Sequence, residues 1–412
     1  HVMNCALLGK MGRASGSSVF LAHTALCIGL LSGPGLSAAP GLPAGPPQGL
    51  QFVCDVNSAS ALKSELLDYF KSLDIPLGLL VSSEHAGATQ VSFSYVLQGP
   101  GVTGDTLGIS KNPRFAVANE QVALPGKDGL LQFREVTSRK EIVLALLHPG
   151  RLTRMETASC SVSALKDHVG ARQNIVAWAS RLEWQWPEGE HAQWNEKYWN
   201  NGTPKPDVPL YVALNDVFLN QRAYSIGCYA ATKLVVAQGV LDYYRRVKQD
   251  PVLTRQVEQR LLSDNEPLVD VEPGEMWSFE PDFDMDQLSL QGKLIELVRN
   301  VAPRNFVPGD WVYLLNTDPT TYQKRGYEGS NAIYLGQGKF DDYYNDNQHA
   351  YTYHQKLDEV YQWRHGVFSR SNDAEKIRPL SLEALDLLGR SPKSGGLVLS
   401  YRAIPRNLDN SP

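Results

Sequence analysis

The chain has 412 residues and a formal charge of −5, from 39 Lys plus Arg against 44 Asp plus Glu. Hydrophobic residues make up 42% and charged residues 20%. This balance excludes a wholly disordered chain and a surface dominated by phosphate-binding cations, so no nucleic-acid partner is expected.

The first segment reads as an export signal. Lys10 and Arg13 precede an apolar run from Val19 to Leu31, and the small residues Ser37, Ala38 and Ala39 follow. Basic, apolar and small residues in that order form the secretory pattern, and the run is short for a membrane span. Residues 1–39 are therefore expected to be a signal peptide and 40–50 a Pro/Gly-rich linker. The processed protein would be secreted or periplasmic, without a stable membrane span. Cys5 and Cys27 would leave with the signal, so Cys54, Cys160 and Cys228 remain. In an oxidising compartment Cys54 and Cys160 can pair and leave Cys228 as a thiol; alternatively all three are reduced and buried, or Cys228 is a small core residue.

Residues 51–190 read as an α+β accessory domain. Leu62, Leu66, Leu67, Phe70 and Leu73 recur at helical spacing within 55–73, with Ser58 or Ser60 as a cap. Strand-like stretches follow at 90–97, 114–118, 130–136 and 141–147, and residues 161–185 look helical. The Trp-rich segment 183–201 (Trp184, Trp186, Trp194, Trp199) marks the expected junction with a domain over 191–412. In a binding protein those tryptophans would be contact residues for glycan or protein; otherwise they pack the junction.

The chemistry concentrates in the second half. Gly227 interrupts the chain, and Ala231, Leu234, Val235, Gln238 and Leu241 then fall on one helical stripe. Cys228 thus sits in the first turn of a long helix, where unpaired N–H groups and the helix dipole favour the thiolate, the form a cysteine acyl-transfer enzyme needs. Only His349, His354 and His365 follow it as candidate bases. They come after a strand-like stretch, Asn331 to Leu335, and a turn at 336–338. A cysteine at a helix start followed by a histidine near the sheet is the order of papain-like folds.

Four blocks then resemble, in order, the bacterial spore-coat protein-glutamine gamma-glutamyltransferases, over about residues 195–405. They are Lys197-Tyr-Trp-Asn200, Ile226-Gly-Cys-Tyr-Ala-Ala-Thr232, Pro308-Gly-Asp-Trp-Val-Tyr-Leu-Leu-Asn316 and Gly326-Tyr-Glu-Gly-Ser-Asn-Ala-Ile-Tyr-Leu-Gly336. The resemblance implies a papain-like cysteine acyltransferase with Cys228 as nucleophile. Two family carboxylates are replaced here. Gly227 stands where the family has Glu before the nucleophile, and Ser330 where it has Glu in Gly-Glu-Asn. Glu328, two residues before Ser330 and on the same side of a regular strand, is either the substitute carboxylate or an ordinary surface acid. His349 is the best counterpart of the family's histidine, placed by the helix-like 355–360 that follows it. Asp341, Asp342, Asn345 and Asp346 are expected in a solvated acidic loop rather than a Ca²⁺ site.

The resemblance implies crosslinking of glutamine side chains to lysine amines through a Cys228 thioester, on protein partners and with no cofactor or metal. Tyr224, Tyr229 and Trp311 are expected to exclude water near the nucleophile. Two alternatives stay open: a cysteine hydrolase on the same scaffold, either a glutamine deamidase or a peptidase, and an inactive binding or structural module, which the lost carboxylates favour.

Overall fold

A computed structural model describes residues 48–156, 160–184, 193–200, 202–263, 296–298, 300–316, 329–342, 350–367, 374–390 and 397–403. The fold is mixed α+β, as expected.

In the first part, β1 (Gly49–Asp55) alternates, with Leu50, Phe52 and Cys54 buried, and runs directly into α1 (Val56–Ser72). The expected helical stripe is present: Ala59, Leu62, Leu66, Tyr69 and Phe70 are buried. Neither Ser58 nor Ser60 occupies the cap; Asp55 does, and Ser58 Oγ donates to its carbonyl at 2.9 Å. Next come β2 (Leu80–Ala86), β3 (Gln90–Leu97), β4 (Glu120–Pro125), β5 (Leu131–Val136), α2 (Arg139–Leu147) and β6 (Leu152–Glu156). The sheet order is β2-β3-β1-β6, with β6 parallel to β1 and the other pairs antiparallel, while β4 and β5 form a separate hairpin. Cys54 and Cys160 form a disulfide across 106 residues, with Cα atoms 5.7 Å apart.

Two strand expectations fail for local reasons. Residues 114–118 form no strand; 113–115 turn, where Asn112 accepts the Arg114 N–H through its side chain and the Phe115 N–H through its carbonyl, which anchors buried Phe115. Residues 141–147 are helix α2. Its residues 141–147 are buried on every side, so the apolar run carries no period to separate helix from strand. The deciding signal is the cap, because Ser138 accepts the Glu141 N–H in a Ser-x-x-Glu sequence.

The second part contains α3 (Val162–Ala179), the short pair β7 (Trp199–Asn200) and β8 (Thr203–Pro204), α4 (Leu210–Leu219), α5 (Cys228–Asp242) and α6 (Pro251–Ser263). There follow β9 (Glu296–Val298), β10 (Trp311–Asn316), β11 (Gly329–Gly336), β12 (Lys339–Asp342), β13 (Tyr351–Thr352), α7 (Tyr353–Trp363), α8 (Leu382–Arg390) and β14 (Leu397–Ala403). The strands pair antiparallel in the order β13-β12-β11-β10-β14-β9. Thr352 and Gln355 cap α7 reciprocally.

This sheet is covered on both faces. Trp311 and Ile333, opposite each other in β10 and β11, join the core that holds α3 and α5. Val312, Ala332, Tyr334 and Phe340 point the other way and pack with Tyr353, Leu357 and Trp363 of α7 and Leu385 and Leu388 of α8. The alternation follows from the period of two along a strand.

Helix α5 is not amphipathic. All fifteen of its residues are buried, among α3, α4, α6 and β11, so the expected stripe covers only part of its contacts. Packing continues across the expected junction near residue 190, because α3 lies along α5. Gly239 permits the close approach: a Cβ there would sit 2.5 Å from Ile175 Cγ1. Asn174 Nδ2 donates to Gly239 O at 2.8 Å, and Asp242 Oδ2 accepts from Asn174 Nδ2 at 3.0 Å and Trp178 Nε1 at 2.9 Å. Trp184, Trp194 and Trp199 are buried in this core, which gives them a packing role; Trp186 lies outside the described residues. Among the described residues no helix is long and apolar enough to cross a membrane.

Candidate active site

Gly227 is the extended residue before α5, and it has no side chain with which to cap the helix. Cys228 is therefore the first helical residue, at the end where backbone N–H groups lack intrahelical acceptors and favour negative charge. It is buried, at 1% exposure. Within the helix its carbonyl accepts from Thr232 Oγ1 at 2.6 Å.

Strand β11 supplies the facing group. Asn331 Nδ2 donates to Cys228 Sγ at 3.4 Å. Asn331 Oδ1 in turn accepts from Trp311 Nε1 at 2.9 Å. An indole nitrogen can only donate, so the oxygen of the amide must face Trp311 and the NH₂ must face the sulfur. The Trp311 ring packs on Tyr229, the residue after Cys228, with centroids 4.9 Å apart. Asn331, Trp311 and Tyr229 are all buried, so the sulfur sits in an aromatic, water-poor wall.

The approach to Cys228 is braced from the other side. Ser225 pairs with Gln193 through backbone N–H···O bonds in both directions, at 2.8 and 2.9 Å. Tyr224 OH donates to Asp216 Oδ2 at 2.6 Å, and Asn195 Nδ2 donates to the same oxygen at 2.7 Å. Burial, then the Asp216 carboxylate, pushes the Tyr224 phenol well above its ordinary range, so it is a fixed neutral donor. Gln193, Trp194, Glu196, Trp199, Asn200 and Lys205 line a cavity of about 740 Å³ beside this brace.

Of the expected site residues, the structure describes Cys228, at the head of α5; Glu328 and His349 lie outside the described residues. Ser330, whose side of the strand Glu328 was expected to share, is on the face away from α5. It pairs with Leu314, and its neighbour Asn331 is the residue that reaches Cys228. His354 Nε2 lies 3.0 Å from Asp386 Oδ1 on α8, and the His365 ring packs on Tyr361. The Cys228 thiol expected to be left over is instead disulfide-bonded in this structure. A role as nucleophile therefore belongs to its reduced form.

The acidic-loop expectation is corrected for its first two members. Asp341 and Asp342 lie in β12 and are buried. Asp342 Oδ2 accepts from Tyr351 OH at 2.7 Å and pairs with Lys356 Nζ at 3.0 Å. Lys356 also pairs with Glu359 at 2.8 Å. Burial lowers the Lys356 ammonium pKa, but the Asp342 and Glu359 carboxylates more than offset this and hold it above the ordinary value. Asn345 and Asp346 lie outside the described residues. Among the described residues no His/Cys/Asp/Glu group has the arrangement of a metal site.

Asn331 is the functional candidate that the sequence reading passed over. Its signal was a lone amide in the apolar stretch Asn-Ala-Ile-Tyr-Leu, in register with core-facing Ile333. A buried amide in such a strand needs partners, and here they are an indole and a sulfur.

No curated protein sequence matches the chain. Among solved structures it is similar to a transglutaminase from Geobacillus stearothermophilus (without C-terminal extension), at 16% identity and a TM-score of 0.37, covering 60% of this chain and 97% of that one. The family model described as protein-glutamine gamma-glutamyltransferase (TGL) matches residues 139–346, which is just over half of the sequence and spans both Cys228 and Asn331. The chain belongs to the protein-glutamine gamma-glutamyltransferase family.

Proposed function

We propose that the protein is a secreted or periplasmic acyltransferase that joins glutamine side chains of proteins to lysine amines, with a papain-like site over residues 191–412 behind a signal peptide and an accessory region over 51–190. The observation that carries this reading is the position of Cys228 within the family match, at the head of a buried helix and against β11. Reduced Cys228 attacks the carboxamide carbon of a glutamine side chain. The C–N bond breaks, the nitrogen takes a proton and leaves as ammonia, and a thioester remains. A lysine amine then attacks the thioester, loses a proton and releases the thiolate, giving an isopeptide bond.

The proton carrier in this scheme is His349, with Glu328 as the carboxylate that orients or charges it. The Cys228 backbone N–H, at a helix start, donates to the oxygen that becomes negative in each tetrahedral intermediate. The buried Tyr229 and Trp311 rings favour an amine over water as the second nucleophile.

The test is incorporation of a biotinylated primary alkylamine into a glutamine-rich protein by reduced enzyme. Isopeptide formation supports crosslinking. Glutamate formation at the same glutamines, with amine present, would replace this reading with a deamidase. No reaction with any glutamine protein tried, together with an unreactive Cys228, would favour a binding module.

A further inference from the structure

We infer that Asn331 is the side-chain donor that holds the Cys228 sulfur as a thiolate and stays beside it during acyl transfer. This rests on the reading of Cys228 as the nucleophile. Three observations lead to it. Asn331 Nδ2 is 3.4 Å from Sγ. Its carboxamide cannot rotate to present oxygen instead, because Trp311 Nε1 donates to Oδ1 at 2.9 Å and an indole N–H has no acceptor to offer a flipped amide. Asn331 and Trp311 are buried, so the reduced sulfur faces a wall that offers a fixed donor in place of water.

The chemistry of the group decides its role. A carboxamide neither gives up nor takes a proton at neutral pH, so Asn331 does not replace a general base. It stabilises negative charge by a charge-assisted hydrogen bond. The charge starts on sulfur and moves to the oxygen of the tetrahedral intermediate, one bond beyond the carbon that sulfur has joined; a donor beside the sulfur serves both.

The experiment compares mildly reduced full-length wild type with Asn331→Ala, Asn331→Asp and Trp311→Phe. The first readout is the pH midpoint for alkylation of Cys228 by iodoacetamide, followed by peptide mass, and it needs no substrate. Removing the donor in Asn331→Ala should raise the midpoint by about one unit, the scale of one charge-assisted hydrogen bond. Asn331→Asp, nearly the same shape, should raise it further, because it sets a carboxylate beside the thiolate. Trp311→Phe should raise it less than either, since the amide stays but is free to turn. Amine incorporation should fall about 10²-fold in Asn331→Ala, the scale for losing one such donor.

Melting curves identify a variant that fails to fold, and the near-isosteric Asp variant keeps the inference testable if the Ala variant does. Equal alkylation midpoints in wild type, Asn331→Ala and Asn331→Asp would overturn the inference and leave Cys228 as nucleophile intact. Wild-type incorporation by Cys228→Ala would instead overturn the nucleophile reading.

Discussion

Arg172 of α3 donates to Asp310 Oδ1 at 2.9 Å, across 138 residues of sequence. Asp310 is fully buried and also accepts from Arg151 Nη1 at 3.0 Å, Arg151 Nη2 at 2.6 Å and the Val307 N–H at 2.9 Å. It precedes Trp311 and so fixes the start of β10, the strand that orients Asn331. Gly309, at φ +86°, makes the turn, and a Cβ there would meet Arg172 O at 3.0 Å. Burial raises the Asp310 carboxyl pKa, but the Arg151 and Arg172 guanidiniums more than offset this and hold it below the ordinary value.

Asp310→Asn removes the carboxylate that two buried guanidiniums share and should cost about 3–5 kcal/mol, read from urea unfolding. The depressed carboxyl also sets a pH dependence. Its folded pKa is below its unfolded pKa, so its contribution is complete above the unfolded value and is lost as pH falls through the folded one. The wild-type melting temperature should therefore drop below about pH 4, and Asp310→Asn should show a shallower drop. Parallel acid profiles would remove Asp310 from the account of stability.

Gly239→Ala sets two effects against each other. Alanine gains about 1 kcal/mol of helix propensity over glycine. Its Cβ, however, would lie 2.6 Å from Ile175 Cα and 2.9 Å from Ile175 N, backbone atoms that cannot rotate away. Overpacking costs about 1–3 kcal/mol, so the variant should be less stable than wild type in thermal melts. A stabilised variant would show that α3 and α5 separate easily.

Much of this was legible in the sequence, and the exceptions share a cause. Helices with one buried face, such as α1, carry a period that can be read. Helix α2 and helix α5 are buried all round, so α2 looked like a strand and α5 like a one-sided helix. At the site, Cys228 was legible because a glycine break followed by a helical run announces a helix start. Asn331 was not, because its role depends on which face of β11 meets α5, and the blocks that revealed the strand do not state its face. Ser330 drew attention as the missing carboxylate, yet the alternation turns it away from Cys228.

The Cys54–Cys160 bridge closes a loop of 106 residues between β1 and the start of α3. Peptide mapping without reduction should recover it, and Cys54→Ala with Cys160→Ala should lose about 2–5 kcal/mol. Purified protein with both thiols free would contradict the bridge. The same map determines whether Cys228 is disulfide-bonded in the purified protein.

The proposed proton carriers are separable by substitution. His349→Ala should lower amine incorporation about 10²–10⁴-fold, and Glu328→Gln should lower it if that carboxylate orients or charges the imidazole. His354, engaged with Asp386 on α8, is the control, and His354→Gln should keep near wild-type rates. If His354→Gln loses activity and His349→Ala does not, the assignment of the base is wrong.

The most direct measurement is trapping of the acyl-enzyme. Mildly reduced wild type is mixed with a glutamine peptide, quenched in acid within the first turnover and analysed by peptide mass. The account predicts a mass gain on the Cys228 peptide equal to the glutamine peptide minus ammonia, released by hydroxylamine and absent in Cys228→Ala. Amine incorporation by Cys228→Ala at the wild-type rate, or the same adduct on another residue, would contradict it.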